Sequence, residues 1–235
     1  MYELCRQTVR MTLLVAIVIA LACVAAAEPR LLGRKWPEYL LSAGAGIGIA
    51  YVVVHLLPEL AIGAEIIRST TEGRLPYAEV HAYLLVLVGI IGTLALRSVQ
   101  LGLHGMDPHP RIRVVQPAMS ALIVGYLLSV RDAIEIGPLL IFTLAIGLHV
   151  AINAHTLATK LQSPFGGLVL AGAIAAGYAS GLLWEAPPVA VAGLVALLAG
   201  GVMTRTIHEI LDEERHLIAL VVGASAETIL LVALS

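Results

Sequence analysis

The sequence predicts an all-α polytopic membrane protein with eight transmembrane helices. Three observations carry that expectation. Of its 235 residues 59% are hydrophobic and only 13% charged, and the mean hydropathy is +0.94, far from soluble-domain composition. The apolar residues also fall into long runs, and the breaks between runs hold Pro, Gly or charge, as at Glu28-Pro29, Gly73-Arg74-Leu75-Pro76, Asp107-Pro108-His109-Pro110, Ser163-Pro164 and Pro187-Pro188. A bilayer core about 30 Å thick takes about 20 apolar residues of helix, and such backbone must satisfy its own polar groups. The runs are 11–27, 39–57, 80–96, 114–130, 136–158, 165–184, 186–204 and 217–235, forming a single transmembrane domain over residues 1–235.

The first run admits a second reading. Arg6 and Arg10 precede an apolar stretch closing on Ala25-Ala26-Ala27, which also describes a cleavable signal peptide. Charge placement favours a retained span. With the N-terminus outside, the inner loops hold Arg30, Arg34, Lys35, Arg97, Arg111, Arg113, Lys160, Arg205 and Arg215, against Arg6, Arg10, Arg68, Arg74 and Arg131 outside. The positive-inside rule then puts both termini outside, in a plasma membrane or prokaryotic inner membrane.

The second run begins with small residues, "AGAGIGIA", and ends "HLLPEL", with Pro58 expected to break the helix where it leaves the bilayer. The third and fourth runs have 17 residues each and need a turn from their flanks. The fifth places His149 near mid-membrane, with Asn153 and Thr156 following on the same face. An intramembrane imidazole usually meets a cavity or a partner. Neutral imidazole suits zinc, copper, iron or nickel, whereas interhelical hydrogen bonding is the structural alternative. His155 points to another face, as an exit-path group or an interfacial histidine. In the sixth run Ala173, Gly177 and Gly181 form a small-residue ridge for helix packing or a homodimer face, as do Gly44 and Gly48 in the second. In the eighth, Glu227 is an intramembrane carboxylate that must pair, protonate or bind a cation.

Other functions find little support. A net charge of −2 without any basic cluster gives no sign of nucleic-acid binding, and the two cysteines form no framework. His208-Glu209-Ile210-Leu211-Asp212 misses the zinc-protease pattern because Asp212 stands where the second imidazole belongs, leaving an intramembrane hydrolase a minor alternative and no enzyme expected. Outside, Glu3, Glu59, Glu65, Glu72, Glu79, Asp132, Glu135 and Glu185 outnumber the bases and would concentrate cations, or simply solvate the loops.

The second run has an echo 154 residues on, where "LAGGVMTRTIHEILDEE" lays Ala199-Gly200 over Ala45-Gly46 and Glu209-Ile210-Leu211-Asp212-Glu213 over His55-Leu56-Leu57-Pro58-Glu59. Copies five helices apart run in opposite directions, the mark of an inverted repeat that divides eight spans as three, two and three.

On these residues the sequence resembles the ZIP (Zrt/Irt-like) family of divalent-metal transporters, whose second helix ends in a phrase like His55-Leu56-Leu57-Pro58-Glu59. The resemblance implies eight helices, both termini outside, a 3+2+3 inverted repeat, and transport of a zinc-, iron- or manganese-class ion. It also implies ligands on the fourth and fifth helices. Here His149 matches the family's leading fifth-helix histidine, but Asn153 replaces its Glu or second His. The fourth run offers Gln116, Ser120 and Asp132 without histidine, and the sixth lacks the family's carboxylate. The expectation is therefore a degenerate, mononuclear route through His149, Asn153, Glu227, His155, His55, Glu59 and Glu209. A ZIP-fold protein serving as a binding, sensing or assembly subunit is the alternative.

Overall fold

The computed structural model describes residues 2–28, 38–70, 78–100, 112–130, 136–211 and 216–234, and no strand occurs among them. The helices are α1 (Tyr2–Ala27), α2 (Glu38–Tyr51), a π-helical turn (Val52–Leu56), α3 (Leu57–Thr70), α4 (Ala78–Gln100), α5 (Ile112–Ser129), α6 (Ile136–Leu161), α7 (Phe165–Leu183), α8 (Pro188–Leu211) and α9 (Leu217–Leu234). Six stretches are long and apolar enough to cross a bilayer: Gln7–Ala27, Glu38–Glu65, Val80–Val99, Leu139–Leu161, Phe165–Leu183 and Pro188–His208. Two more apolar helices, Arg113–Ser129 and Leu217–Ala233, are shorter. The chain is thus a multi-pass helical membrane protein.

The third run, expected to be marginal, gains half a turn at its start and a full turn at its end to become a 23-residue helix. The fourth gains little, and it carries Pro117 within the helix.

The second run departs from expectation at Pro58. Instead of breaking there, the helix continues to Thr70. The physical reason is the π turn just before the proline. A ring in a regular helix clashes with the carbonyl four residues back and removes one hydrogen bond. Here the Leu57 N–H reaches back five residues to the Val52 carbonyl, widening the turn ahead of the ring. His55 lies inside that π turn.

Between α6 and α7 the turn is tight. Gln162 adopts a positive φ of 51°, and the Ser163 N–H returns to the Ala158 carbonyl at 3.1 Å, closing α6 with the wrap usually given to glycine. The Ser163 hydroxyl then accepts from the Phe165 N–H at 3.2 Å and opens α7.

Helix α6 occupies the centre: 72% of its apolar stretch is buried, against 11% for Val80–Val99 in α4. The core around it is mainly aliphatic, with Ile141, Phe142, Ile146 and Val150 of α6 meeting Ile19, Tyr51, Val124, Ile174 and Val202 from other helices.

Close crossings between helices come in equivalent pairs. A Cβ on Gly46 of α2 would collide with the Leu220 carbonyl and Ala224 amide of α9, and one on Gly200 of α8 would collide with the Val86 carbonyl and Ile90 amide of α4. In return, Gly223 of α9 meets the Ala43 carbonyl, and Gly89 of α4 meets the Leu197 carbonyl. Positions 43 and 46 correspond to 197 and 200 at an offset of 154; positions 86, 89 and 90 correspond to 220, 223 and 224 at an offset of 134. The wider network obeys the same exchange. The α2–α9 pair answers α8–α4, α5–α7 answers α6–α1, α2–α6 answers α8–α5, and α9–α6 answers α4–α5.

Small residues elsewhere serve internal packing too. Gly177 and Gly181 abut Leu122, Tyr126 and Ser129 of α5, so that part of the small-residue ridge lies within the chain.

Candidate functional site

Apart from Thr12 and Ser42, the buried polar residues described in the bundle gather on α6, α8 and α9. His149, Asn153, Thr204, Thr206 and Glu227 are all buried. Three of them hold oxygen atoms shut from solvent without a hydrogen-bond partner: Asn153 Oδ1, Thr206 Oγ1 and both carboxylate oxygens of Glu227. Unsatisfied buried polar atoms are rare in native structures and call for a reason.

Gly48 of α2 brings two of these helices together. The point where its Cβ would sit lies 3.2 Å from Thr206 Oγ1 and 3.7 Å from His149 Nδ1. The missing side chain leaves a notch with an imidazole nitrogen and a hydroxyl on its walls. One turn earlier in α2, Gly44 faces Leu148 and Ile152 of α6, so the two helices run in close contact past Asn153.

Glu227 approaches from α9. It shares a face with Gly223 and Leu231, which are also buried, and Gly223 packs on the Ala43 carbonyl. The first turns of α2 and α9 are joined by the His216 N–H donating to Ser42 Oγ at 3.1 Å and by a 3.8 Å contact of His216 with Glu38. The two helices are therefore parallel, and Glu227 lies one turn beyond the Gly46 crossing. Helix α9 also packs on α6, which carries His149 and Asn153.

A fixed cation borders the same region. Arg205, assigned by sequence to an inner loop, lies on α8 and donates to Gln116 Oε1 of α5 at 3.4 Å. Gln116 Nε2 lies 3.5 Å from Ser120 Oγ. The fourth run thus meets α8 through the Gln116 amide.

The remaining expected residues lie elsewhere. His155 is buried, and its Nδ1–H donates to the Ala26 carbonyl of α1 at 3.1 Å. His55 lies 3.9 Å from Glu59 and against the Tyr51 ring, centroids 5.1 Å apart. Glu59 lines a cleft of about 300 Å³ with Glu185, Leu60, Val130, Pro188 and Val195. Over that cleft Tyr126 accepts from the Ala186 N–H at 2.9 Å and donates to the Trp184 carbonyl at 3.3 Å. His208 Nδ1–H donates to the Thr204 carbonyl at 2.8 Å. The Glu209 side chain lies outside the described residues, as do Asp212, Glu72, Asp132, Glu135 and the side chains of Glu3 and Glu79.

Among the described residues no three His, Cys, Asp or Glu side chains form a metal-holding group. The sequence reading missed Thr206 and Gly48 as a pair. Their only signal was the inverted-repeat alignment, which sets Val52 opposite Thr206. No protein-family model matches the chain, and no curated protein matches it by sequence.

Proposed function

We propose that the chain is a ZIP-like transporter that moves a divalent cation of the zinc, iron or manganese class inward across the membrane. In this reading α2, the π turn and α3 form one span. Eight spans divide as three, two and three, both termini are outside, and the membrane is a plasma or prokaryotic inner membrane. The observation that carries the reading is the conjunction of the reciprocal glycine crossings with unsatisfied oxygens on Asn153, one turn from His149, and on Glu227 of a helix packed on theirs.

The equivalent crossings support an inverted repeat, and such repeats place substrate near the midplane at their interface. Neutral imidazole and amide oxygen offer the cation directional ligands but no charge. Glu227 supplies the negative charge. Outside, Glu59 and Glu185 draw cations to the cleft, and rocking of one helix set against the other opens the site alternately to each side.

The test is flux. Zinc, manganese and iron(II) uptake into proteoliposomes should exceed that of protein-free vesicles and fall to background in His149→Ala. Equal uptake with and without protein sinks the reading.

One observation favours a second reading, a ZIP-fold binding, sensing or assembly subunit. Arg205 holds a permanent positive charge next to Thr206 in the chain and bonds to α5, where the family's other ligands would stand. Metal binding without flux selects this reading.

A further inference from the structure

Five of the described threonines satisfy their hydroxyls in the same way, while Thr93 and Thr156, which do not, are only half-buried. Thr12, Thr143, Thr159, Thr204 and Thr228 each donate to the carbonyl four residues back, at 2.6 to 3.1 Å. That bond is the ordinary way for a helical hydroxyl to be satisfied in an apolar setting. Thr206 is fully buried and does not make it. Its Oγ1 is directed at the Gly48 notch, 3.2 Å from the Cβ position, with His149 Nδ1 on the other wall.

Packing does not call for that hydroxyl. At the repeat-equivalent position, 154 residues earlier, stands Val52, which is also fully buried. The two side chains have nearly the same shape, so a β-branched residue fills the place and only the oxygen distinguishes the halves. The notch also needs Gly48, because an alanine methyl there would lie against both hydroxyl and imidazole.

We infer that Thr206 is a ligand of the transported cation, its hydroxyl oxygen and the His149 imidazole nitrogen closing on an ion seated over Gly48. The site is then a mixed oxygen and nitrogen set: imidazole from α6, hydroxyl from α8, with Asn153 and Glu227 as further oxygen donors. Oxygen-rich mixtures with one imidazole suit zinc or manganese and disfavour soft thiophilic ions. The assignment rests on the transport reading but is tested apart from it.

The experiment measures zinc binding by the purified full-length protein in detergent micelles, together with its melting temperature without metal. Thr206→Val should weaken zinc affinity about tenfold, while Thr206→Ser, which keeps the hydroxyl, restores it. The metal-free melting temperature of Thr206→Val should equal or exceed that of wild type, because an unsatisfied hydroxyl has been removed. A hydroxyl that merely joined helices would give the opposite pattern, a lower melting temperature with unchanged zinc affinity, and that overturns the assignment. Gly48→Ala leaves Thr206 in place and fills the notch, so it should weaken zinc binding as well; undiminished affinity there also overturns it. Wild-type protein that binds no zinc overturns the transport reading and this ligand together. Wild-type binding that Thr206→Val leaves intact overturns the ligand alone.

Discussion

Gly46 and Gly200 make the same contact in two halves of the chain: each presses a bare Cα onto a carbonyl of a neighbouring helix, Leu220 for one and Val86 for the other. The partners are themselves equivalent, as are the return contacts of Gly223 and Gly89. Close approach of backbones is how membrane helices gain packing energy when lipid offers no hydrophobic contrast.

The crossings predict matched penalties. Gly46→Leu and Gly200→Leu should each destabilise by at least about 1–3 kcal/mol, since the colliding atoms are backbone and cannot swing aside. Gly92→Ala and Gly172→Ala, which face open space, should be neutral or stabilising by up to about 1 kcal/mol. Thermal unfolding in detergent reads all four. Tolerance of leucine at either crossing would mean that α2 and α8 are not so engaged.

Tyr178 ties α7 to α1, its hydroxyl donating to the Val9 carbonyl at 3.0 Å or to Thr12 Oγ1 at 2.9 Å. Tyr178→Phe and Thr12→Val should each cost about 0.6–1.7 kcal/mol, the range of hydrogen bonds inside membrane bundles, and the double mutant should cost less than their sum. Strict additivity would show that the two hydroxyls are not coupled.

Gln162 carries a positive φ that L-residues adopt at a cost of roughly 1–2 kcal/mol. Gln162→Gly should therefore stabilise the protein, by up to about 1 kcal/mol after the extra entropy of glycine in the unfolded chain is counted. A lower melting temperature would contradict the turn described here.

His155 holds two helices together. Its bond to Ala26 joins α6 to α1, so His155→Ala should lower stability by about 0.6–1.7 kcal/mol and leave metal affinity unchanged. Loss of metal affinity with stability intact would return His155 to the pathway.

Much of this architecture was legible in sequence because hydropathy and length report directly on the bilayer. The echo between Ala45-Gly46 and Ala199-Gly200 was legible as well, since a close crossing demands glycine wherever it recurs. The π turn was not: Pro58 signals a broken hydrogen bond but cannot say whether the chain stops or widens one turn and continues. His149, Asn153 and Glu227 stood out as costly groups in apolar runs. Thr206 did not, because helical threonines ordinarily bond to their own backbone, and only packing reveals one that does not. Arg205 was read as a loop residue for want of any sign that Gln116 would receive it.

The most direct measurement is the zinc X-ray absorption spectrum of purified, zinc-loaded protein. One imidazole nitrogen with the remaining ligands oxygen, at about 2.0–2.2 Å, is the coordination that His149, Asn153, Thr206 and Glu227 predict. No retained zinc, two or more imidazoles, or any sulfur in the first shell would contradict the account.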